Sequence, residues 1–384
     1  MTPLARLPDP LGSVEIAQAV GPSVLTRDRV CILKRLGRDT GRGRIDGLVE
    51  SPWAIVGTLV HRSIQLADGR ANLTEVFDEL VRQEEVSLLA DPRRRHLVPL
   101  RVAIGEGGWL MRLQLLRRRQ GDGNPLPMES LRAQEGTRGT SAQTGHEVWF
   151  ESAALGLRGS ADHVELVGDY LVRITDWKTG PVLTDEGEVR DSYRLQLAAY
   201  RMLARERWPE REVETYLFNG ESVEVRVTSS DEAEVVEAVT AIRARVGERR
   251  EAPAIDLIAV GEECFGCNIR NRCPAYLDVL RRTGRGVAAE PSHANGDVLG
   301  QVGSFRTRGE VTVVNLKLPT GSQVQMRWTS ERLASTDIEG QEVVAFGLLP
   351  LSRRSRVDGE LLEPLLYEER NQSRRAWQAE LFQL

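Results

Sequence analysis

Two strand-like segments joined by a short loop constrain the fold of this chain most strongly. Residues 158–166 and 172–178 alternate apolar and polar side chains, and the loop between them is 168–170. In an antiparallel hairpin closed by this loop, the numbers of facing residues sum to 338, so that Val164 faces Ile174. A shift by one residue would set apolar side chains against polar ones, and the pattern therefore predicts this register.

The same register brings two carboxylates and an ammonium group to one end of an apolar strand face. Asp162 faces Asp176, and Lys178 lies two residues further on the same side. Carboxylates opposed at about 5 Å repel each other unless a cation lies between them, and such oxygen ligands suit Mg2+ or Mn2+. A solvated surface salt bridge is the alternative interpretation. The apolar neighbours, and a lysine content limited to Lys34, Lys178 and Lys317, favour the metal site.

Apolar periodicity predicts helices before and after this hairpin. The segment 191–207 carries Gln196 and Tyr200 four residues apart, and therefore on one helix face. A Gly-rich polar stretch at 121–145 is typical of a long loop, and Asn219-Gly220 between alternating apolar residues predicts a second hairpin. The other predicted helices are 56–67, 74–90, 110–119 and 230–250.

Length and composition indicate a large domain with a smaller one beside it. The chain has 384 residues, of which 41% are hydrophobic, enough for a sizeable core. A net charge of −5 excludes a uniformly basic nucleic-acid binder but allows a local basic groove. No apolar run is long enough to cross a bilayer, and we expect a cytoplasmic protein without membrane contact. None of the lysines follows a glycine, which excludes a G-x-x-x-x-G-K phosphate loop.

Four cysteines are present, and three of them are close together. Cys264, Cys267 and Cys273 have the spacing C-x2-C-x5-C, and Cys31 lies more than two hundred residues upstream. In a reducing compartment such a group indicates metal ligands or redox groups more than disulfides. Burial as a small apolar residue could account for Cys31 but not for the group of three.

The last part of the sequence changes to short strands. Residues 286–298 have the composition of a linker, and about five strand candidates follow within 299–384. In one of them, Trp328 falls on the apolar alternation and Arg327 on the polar one. We therefore predict a first domain at 1–285 and a small OB-like β-barrel as the second, which could hold single-stranded nucleic acid. A β-rich module that docks a protein is the alternative.

The residues around the first hairpin resemble those of a known family. The stretches "GSAD", "ITDWKTG" and "QLAAY" are similar to the motifs of the PD-(D/E)xK nuclease superfamily, in its RecB-like branch. The resemblance covers about residues 20–280 and implies an α/β fold with a restriction-endonuclease-like mixed sheet flanked by helices. It also implies a catalytic set that consists of Asp162, Asp176, Lys178, Gln196 and Tyr200. Gln196 and Tyr200 would have a positioning role.

Metal ligands follow from the same resemblance. The stretch "GTLVH" places His61 where the family has a metal-binding histidine, next to Asp162 and Asp176. The Trp177 carbonyl is a further ligand that the family suggests. One helical turn after His61, Gln65 stands where the family often has a carboxylate. The implied ion is Mg2+ or Mn2+; without the other motifs, His61 would be an ordinary helix residue.

The cysteines resemble those of the AddB-like nucleases and of the nucleases that acquire CRISPR spacers. In those proteins one cysteine before the nuclease core and three after it, in the spacing seen here, bind a [4Fe-4S] cluster. The resemblance thus implies that Cys31, Cys264, Cys267 and Cys273 hold such a cluster as a structural staple. Zinc bound by the same four thiolates is the alternative.

The function implied by the resemblance is cleavage of DNA. We expect a Mg2+- or Mn2+-dependent deoxyribonuclease, an exonuclease or end-processing enzyme for single-stranded or frayed DNA, in repair, recombination or phage defence. A separate helicase or another repair or defence subunit would be its partner. The alternative is a weakly active or inactive subunit that binds DNA ends within a larger helicase–nuclease or defence complex. An adaptor stapled by zinc would show no cleavage at all.

Overall fold

The computed structural model shows a mixed α/β fold with sheets flanked by helices, which confirms the predicted class at this level. Most of the predicted loop at 121–145 and of the predicted linker lies outside the described residues. The domain limits stay predictions, and the first strand after the linker begins at Gly296. The described residues are 4–25, 31–38, 47–66, 72–91, 94, 97–121, 144–261, 264, 267–286, 296–309, 311–329, 338–350, 356–357, 360–361, 366–368 and 380–384.

The helices and strands are numbered here along the described residues. None of these helices is both long enough and apolar enough to cross a membrane. The helices are α1 (Ile32–Leu36), α2 (Pro52–Leu66), α3 (Leu73–Ala90), α4 (Leu100–Gly121), α5 (Asp191–Arg207), α6 (Ser229–Val246) and α7 (Pro274–Thr283). The strands are β1 (Ala5–Arg6), β2 (Ser13–Ile16), β3 (Gly37–Arg38), β4 (Gly145–Ser152), β5 (Leu157–Val167), β6 (Leu171–Trp177), β7 (Glu212–Phe218), β8 (Ser222–Glu224), β9 (Glu251–Pro253), β10 (Gly296–Arg308), β11 (Val311–Lys317), β12 (Gln323–Thr329), β13 (Glu342–Pro350), β14 (Arg356–Val357), β15 (Glu360–Leu361), β16 (Leu366–Glu368) and β17 (Glu380–Gln383).

Local sequence defines the ends of the last two helices, α6 and α7. Thr228 and Asp231 form a capping box at the start of α6. Helix α7 begins with Pro274, directly after Cys273. Proline suits the first turn of a helix, because a backbone N–H at that position would have no partner within the helix. It ends at Gly284, whose left-handed backbone (φ 72°) favours glycine. Cys273 therefore lies directly before a helix whose start and end are marked by a proline and a glycine.

The central sheet has the strand order β4-β5-β6-β7-β8 over the described residues. Strands β6 and β7 are parallel, and the other neighbours are antiparallel. The predicted register of the β5–β6 hairpin is confirmed, since Val164 pairs with Ile174. The predicted hairpin at Asn219-Gly220 is also confirmed: it joins β7 to β8, and Gly220 has the positive φ (107°) that glycine readily adopts.

Two apolar clusters cover this sheet. Val172 and Ile174 of β6 pack in one cluster with α5, where Ala198 is buried. Trp177 of the same strand belongs to a second cluster, formed by α2, α3 and α4. Because successive strand residues point to opposite faces, β6 directs Asp176 towards α5 and Trp177 towards α2. The end of β6 therefore contacts both helical layers.

The C-terminal strands form a second sheet in the order β1-β17-β13-β10-β11-β12-β16, as far as the described residues show. Strand β16 pairs with β12 in parallel and also with β13 in antiparallel orientation. The pairing of β1 with β17 brings the first described residues to this sheet, which the sequence reasoning did not foresee. In β12 the predicted alternation is confirmed, since Trp328 is buried and Arg327 is exposed. The OB-like barrel stays a prediction for this region.

A buried ion pair joins the cysteine segment to the second sheet. Arg270 Nε donates to Asp297 Oδ2 at 2.6 Å, and Arg270 Nη1 donates to the Cys267 carbonyl at 2.7 Å. Asp297, near the start of β10, also accepts from Tyr276 Oη at 2.5 Å and from Gly347 N at 2.7 Å. Both charged residues are almost fully buried. Loss of one partner would therefore leave the other charge buried without compensation.

Candidate active site

A closed hydrogen-bonded group lies at the end of β6 and on α5. Lys178 Nζ lies 2.5 Å from Asp176 Oδ2 and donates to Gln196 Oε1 at 2.9 Å. Gln196 Nε2 donates in turn to Asp176 Oδ1 at 3.0 Å. Asp176 and Gln196 are buried, and 17% of the Lys178 side chain is exposed. Both oxygens of this carboxylate are thus fixed by neighbouring side chains, with the ammonium group open to solvent on one side.

Burial raises the pKa of Asp176 to about 6. The charge of Lys178 opposes this shift, and the charge of Asp162 adds to it. The ionised form of this buried carboxylate is therefore less favoured than in an exposed aspartate, although it still predominates at neutral pH. A divalent cation next to it would lower its pKa again.

Asp162 continues the register of the β5–β6 hairpin beyond its paired residues, opposite Asp176. Its Oδ2 accepts from Trp177 N at 2.6 Å, and its Oδ1 lies 3.5 Å from His61 Nδ1. Burial disfavours the charged form of His61, but the hydrogen bond to Asp162 and the charges of both aspartates raise its pKa overall. The fold thus brings a histidine of α2 to the carboxylates of the hairpin.

The other predicted site residues lie in the same region. Tyr200 is buried, and its hydroxyl donates to the Ser160 carbonyl at 2.5 Å, so that it holds strand β5 while Gln196 holds the lysine. The Trp177 ring lies 6.2 Å from the His61 ring and is buried. The structure therefore places all of the predicted active-site side chains together, while their catalytic roles stay predictions.

The donor types of this region suit a hard divalent cation, since they are carboxylate oxygens and an imidazole nitrogen. Across the described part of the chain, no three His, Cys, Asp or Glu side chains are near enough to each other to hold a metal ion as they stand.

Sequence reasoning missed another acidic residue at this site. Glu147 on β4 lies opposite Asp162 in the register of β4 and β5, and its Oε1 accepts from Gln65 Nε2 at 2.5 Å. The Glu147 side chain is exposed. Partial desolvation raises its pKa, a hydrogen bond with Ser160 opposes the rise, the charge of Asp162 adds to it, and the charge of His61 opposes it. The cross-strand argument that predicted the β5–β6 hairpin could have found this residue, if applied to the strand before it.

The four predicted cluster ligands share one cavity. Cys31, Cys264, Cys267 and Cys273 line it, all are buried, and none forms a disulfide. Burial raises the pKa of Cys273 to about 12 and also raises the pKa values of Cys264 and Cys267, so these thiols stay neutral unless a cation binds them. The upstream cysteine thus lines the same pocket as the three downstream ones, although no three of these described side chains are near enough to each other to hold a metal as they stand.

Comparisons with known proteins identify a family for this chain. Among solved structures the chain is similar to a candidate exonuclease from Eubacterium rectale, at 12% identity, over 52% of this chain and 70% of that chain, with a TM-score of 0.28. A TM-score this low does not relate the two folds. No curated protein matches the sequence significantly. Residues 35–274 match the sequence family described as the PD-(D/E)XK nuclease superfamily. Because this match spans more than half of the chain and includes the hairpin carboxylates, Lys178 and Gln196, the chain belongs to the PD-(D/E)XK nuclease superfamily.

Proposed function

We propose that the chain is a metal-dependent deoxyribonuclease of the RecB-like branch, acting on single-stranded or frayed DNA in repair, recombination or phage defence. The observation that carries this proposal is the hydrogen-bonded group of Asp176, Lys178 and Gln196, with Asp162 and His61 beside it. These two aspartates, His61 and the Trp177 carbonyl would hold Mg2+ or Mn2+. When bound, such an ion polarises a phosphate oxygen and lowers the pKa of a water molecule.

The remaining residues of the site position these groups. Lys178 neutralises negative charge on a phosphate oxygen or holds the attacking water, and its partly open position allows either contact. Gln196 fixes the lysine and the Asp176 carboxylate in one geometry. Tyr200 binds the Ser160 carbonyl and so fixes β5, the strand that carries Asp162.

We expect DNA cleavage by the purified full chain to depend fully on a divalent cation. An end-labelled single strand and a blunt duplex would be incubated with Mg2+, with Mn2+, or with a chelator, and the products resolved by length. The expected result is cleavage of the single strand with either ion and none with the chelator, because the water and the phosphate then lack their activating charge. Tight binding of DNA ends without cleavage under any ion would instead favour the inactive end-binding subunit.

We propose further that the four cysteines hold a [4Fe-4S] cluster, with zinc as the alternative. The support is the shared cavity, the absence of a disulfide between these cysteines, and the preference of thiolates for either metal. When bound, the cluster would act as a structural staple between the first residues of the domain and its last helix. The absorption spectrum of anaerobically purified protein separates the two metals, since only the iron–sulfur cluster gives a broad visible band.

For the C-terminal strands we propose an OB-like barrel that binds single-stranded DNA. The supporting observation is that β16 pairs with both β12 and β13, while β13 also pairs with β10. Each of the strands β10, β11, β12, β16 and β13 therefore has two neighbours within this group. Strands two and three of an OB-fold form its usual binding face. The corresponding face here, on β11 and β12, carries Lys317, Asn315, Gln325 and Arg327, and Arg306 of β10 lies in the same cross-strand row as Arg327.

Replacing both Lys317 and Arg327 with alanine should weaken binding to single-stranded DNA. The slope of log affinity against log salt should fall by about 0.7 for each phosphate that the variant no longer neutralises. Arg226→Ala is the control. That arginine is exposed, lies just after β8 of the first sheet, and should leave the slope unchanged. Fluorescence anisotropy at several salt concentrations measures both quantities. Equal binding by the double variant at every salt concentration would favour a protein-docking module.

A further inference from the structure

We propose that Glu147 supplies a further carboxylate to the divalent-cation site, with Gln65 holding it in place. The inference rests on the proposed function, because it assumes the cation that the superfamily implies. Glu147 lies on β4, next to the strand that carries Asp162, and Gln65 lies on α2, the helix that also carries His61.

The position of Glu147 is the first argument. It lies opposite Asp162 in the β4–β5 register, and Asp162 and His61 both act electrostatically on its carboxylate. Gln65 lies one helical turn after His61 on α2 and donates to Glu147 Oε1 at 2.5 Å. The helix that presents the histidine thus also directs this carboxylate.

The charge balance is the second argument. The side chains that interact with the Glu147 carboxylate by hydrogen bonding are neutral, namely the Gln65 amide and the Ser160 hydroxyl, and the ion pairs found among the described residues do not include Glu147. Lys178, the nearby ammonium group, pairs with Asp176. Carboxylates gathered without a matching number of cations favour the binding of a metal ion.

The backbone is the third argument. Glu147 has a φ of 51°, the single positive value among the described residues other than glycine. This region suits glycine, and a longer side chain is strained in it. Residues in such conformations cluster at active sites. Glu147 also lies at a gap in the paired residues of β4 and β5, where its side chain can turn away from the regular strand direction.

Manganese binding to the full chain tests the inference without reference to catalysis. Electron paramagnetic resonance of free Mn2+ gives its affinity for the unsubstituted protein, for Glu147→Gln and for Glu151→Gln. The control Glu151 is exposed on the same strand and faces Arg158. We expect Glu147→Gln to bind Mn2+ on the order of tenfold to a hundredfold more weakly, and Glu151→Gln to bind it unchanged. Gln65→Ala should weaken binding less, and should add nothing once Glu147 is replaced.

A second variant separates a metal-site role from a purely structural one. Glu147→Gly removes the carboxylate but accepts the positive φ, so its melting temperature should equal or exceed that of the unsubstituted chain while its Mn2+ affinity falls. Mn2+ affinity unchanged in both Glu147→Gln and Glu147→Gly overturns the inference and leaves the proposed function standing. An unsubstituted chain that binds no Mn2+ overturns both.

Discussion

Replacing Lys178 with methionine or Asp176 with asparagine should abolish DNA cleavage while the fold remains. For the lysine, the expected loss in single-turnover rate is on the order of a hundredfold to ten-thousandfold, because one fixed charge or proton-transfer group is removed from the reacting phosphate. The aspartate variant removes a carboxylate that Lys178 and Gln196 hold in a fixed geometry. Cleavage of an end-labelled single strand at saturating Mn2+ measures both rates.

Asp169→Asn is the matched control for this prediction. Asp169 lies in the exposed loop of the same hairpin, away from the hydrogen-bonded group, and its replacement should leave the rate unchanged. Circular dichroism confirms that each variant is folded. If the Lys178 and Asp176 variants were folded and cleaved DNA as fast as the control, the active site would have to lie elsewhere in the chain.

The raised pKa of Asp176 also predicts a change in stability with pH. The folded chain holds this proton more tightly than the unfolded chain, whose aspartate titrates near 3.8. Between about pH 4 and pH 6 the unfolded state therefore binds fewer protons, so this group lowers the stability of the metal-free protein as the pH rises. Asp176→Asn removes that contribution. Its metal-free melting temperature at pH 7 should therefore equal or exceed that of the unsubstituted chain.

The hairpin register was predictable because its information is local. Apolar alternation on two adjacent strands admits one pairing, and that pairing alone places Asp162 opposite Asp176. The spacing of Gln196 and Tyr200 similarly fixes their common helix face, although the sequence does not tell which of the two reaches the lysine. Their separate contacts, to Lys178 and to the Ser160 carbonyl, depend on how α5 lies across the sheet.

The features that were missed all depend on contacts distant in sequence or on unusual backbone. Strand β1 has two residues and no periodicity, and its pairing with β17 joins opposite ends of the chain. The positive φ of Glu147 cannot be read from a glutamate, since that region normally indicates glycine. The ion pair of Arg270 and Asp297 joins a loop to a strand beyond the predicted linker, and neither residue carries a motif.

That ion pair connects the cysteine cavity with the second sheet. Arg270 lines the cavity and binds the Cys267 carbonyl, while Asp297 binds Gly347 N of β13. Phe346, next to that glycine, packs in the same apolar cluster as Cys31 and Cys273. A change in the position of the cysteine segment would therefore be transmitted to β10 and β13 through buried groups that have no water to replace their partners.

Cys31→Ser should accordingly lose the proposed metal and destabilise the second sheet as well as the region around the cysteines. Serine keeps the size of the side chain but supplies no thiolate, so Cys264, Cys267 and Cys273 would have to bind the metal without the upstream ligand. A cross-link that closes a loop of more than two hundred residues is worth about 5 kcal/mol in the chain-entropy estimate, and we expect a loss of that order in the free energy of unfolding. Metal analysis and chemical denaturation measure the two effects.

The coupling through Arg270 gives this prediction a second readout. Hydrogen exchange at the amide of Gly347, which donates to Asp297, should become faster in Cys31→Ser although the two residues are more than three hundred positions apart in the sequence. Removing the metal from the unsubstituted chain should produce the same acceleration, and removing it from Cys31→Ser should produce none, because the site is already empty. Full metal content and unchanged unfolding in Cys31→Ser would instead show that Cys31 serves only as a buried apolar residue. Any metal would then be held by the three downstream cysteines and would not link them to the upstream segment.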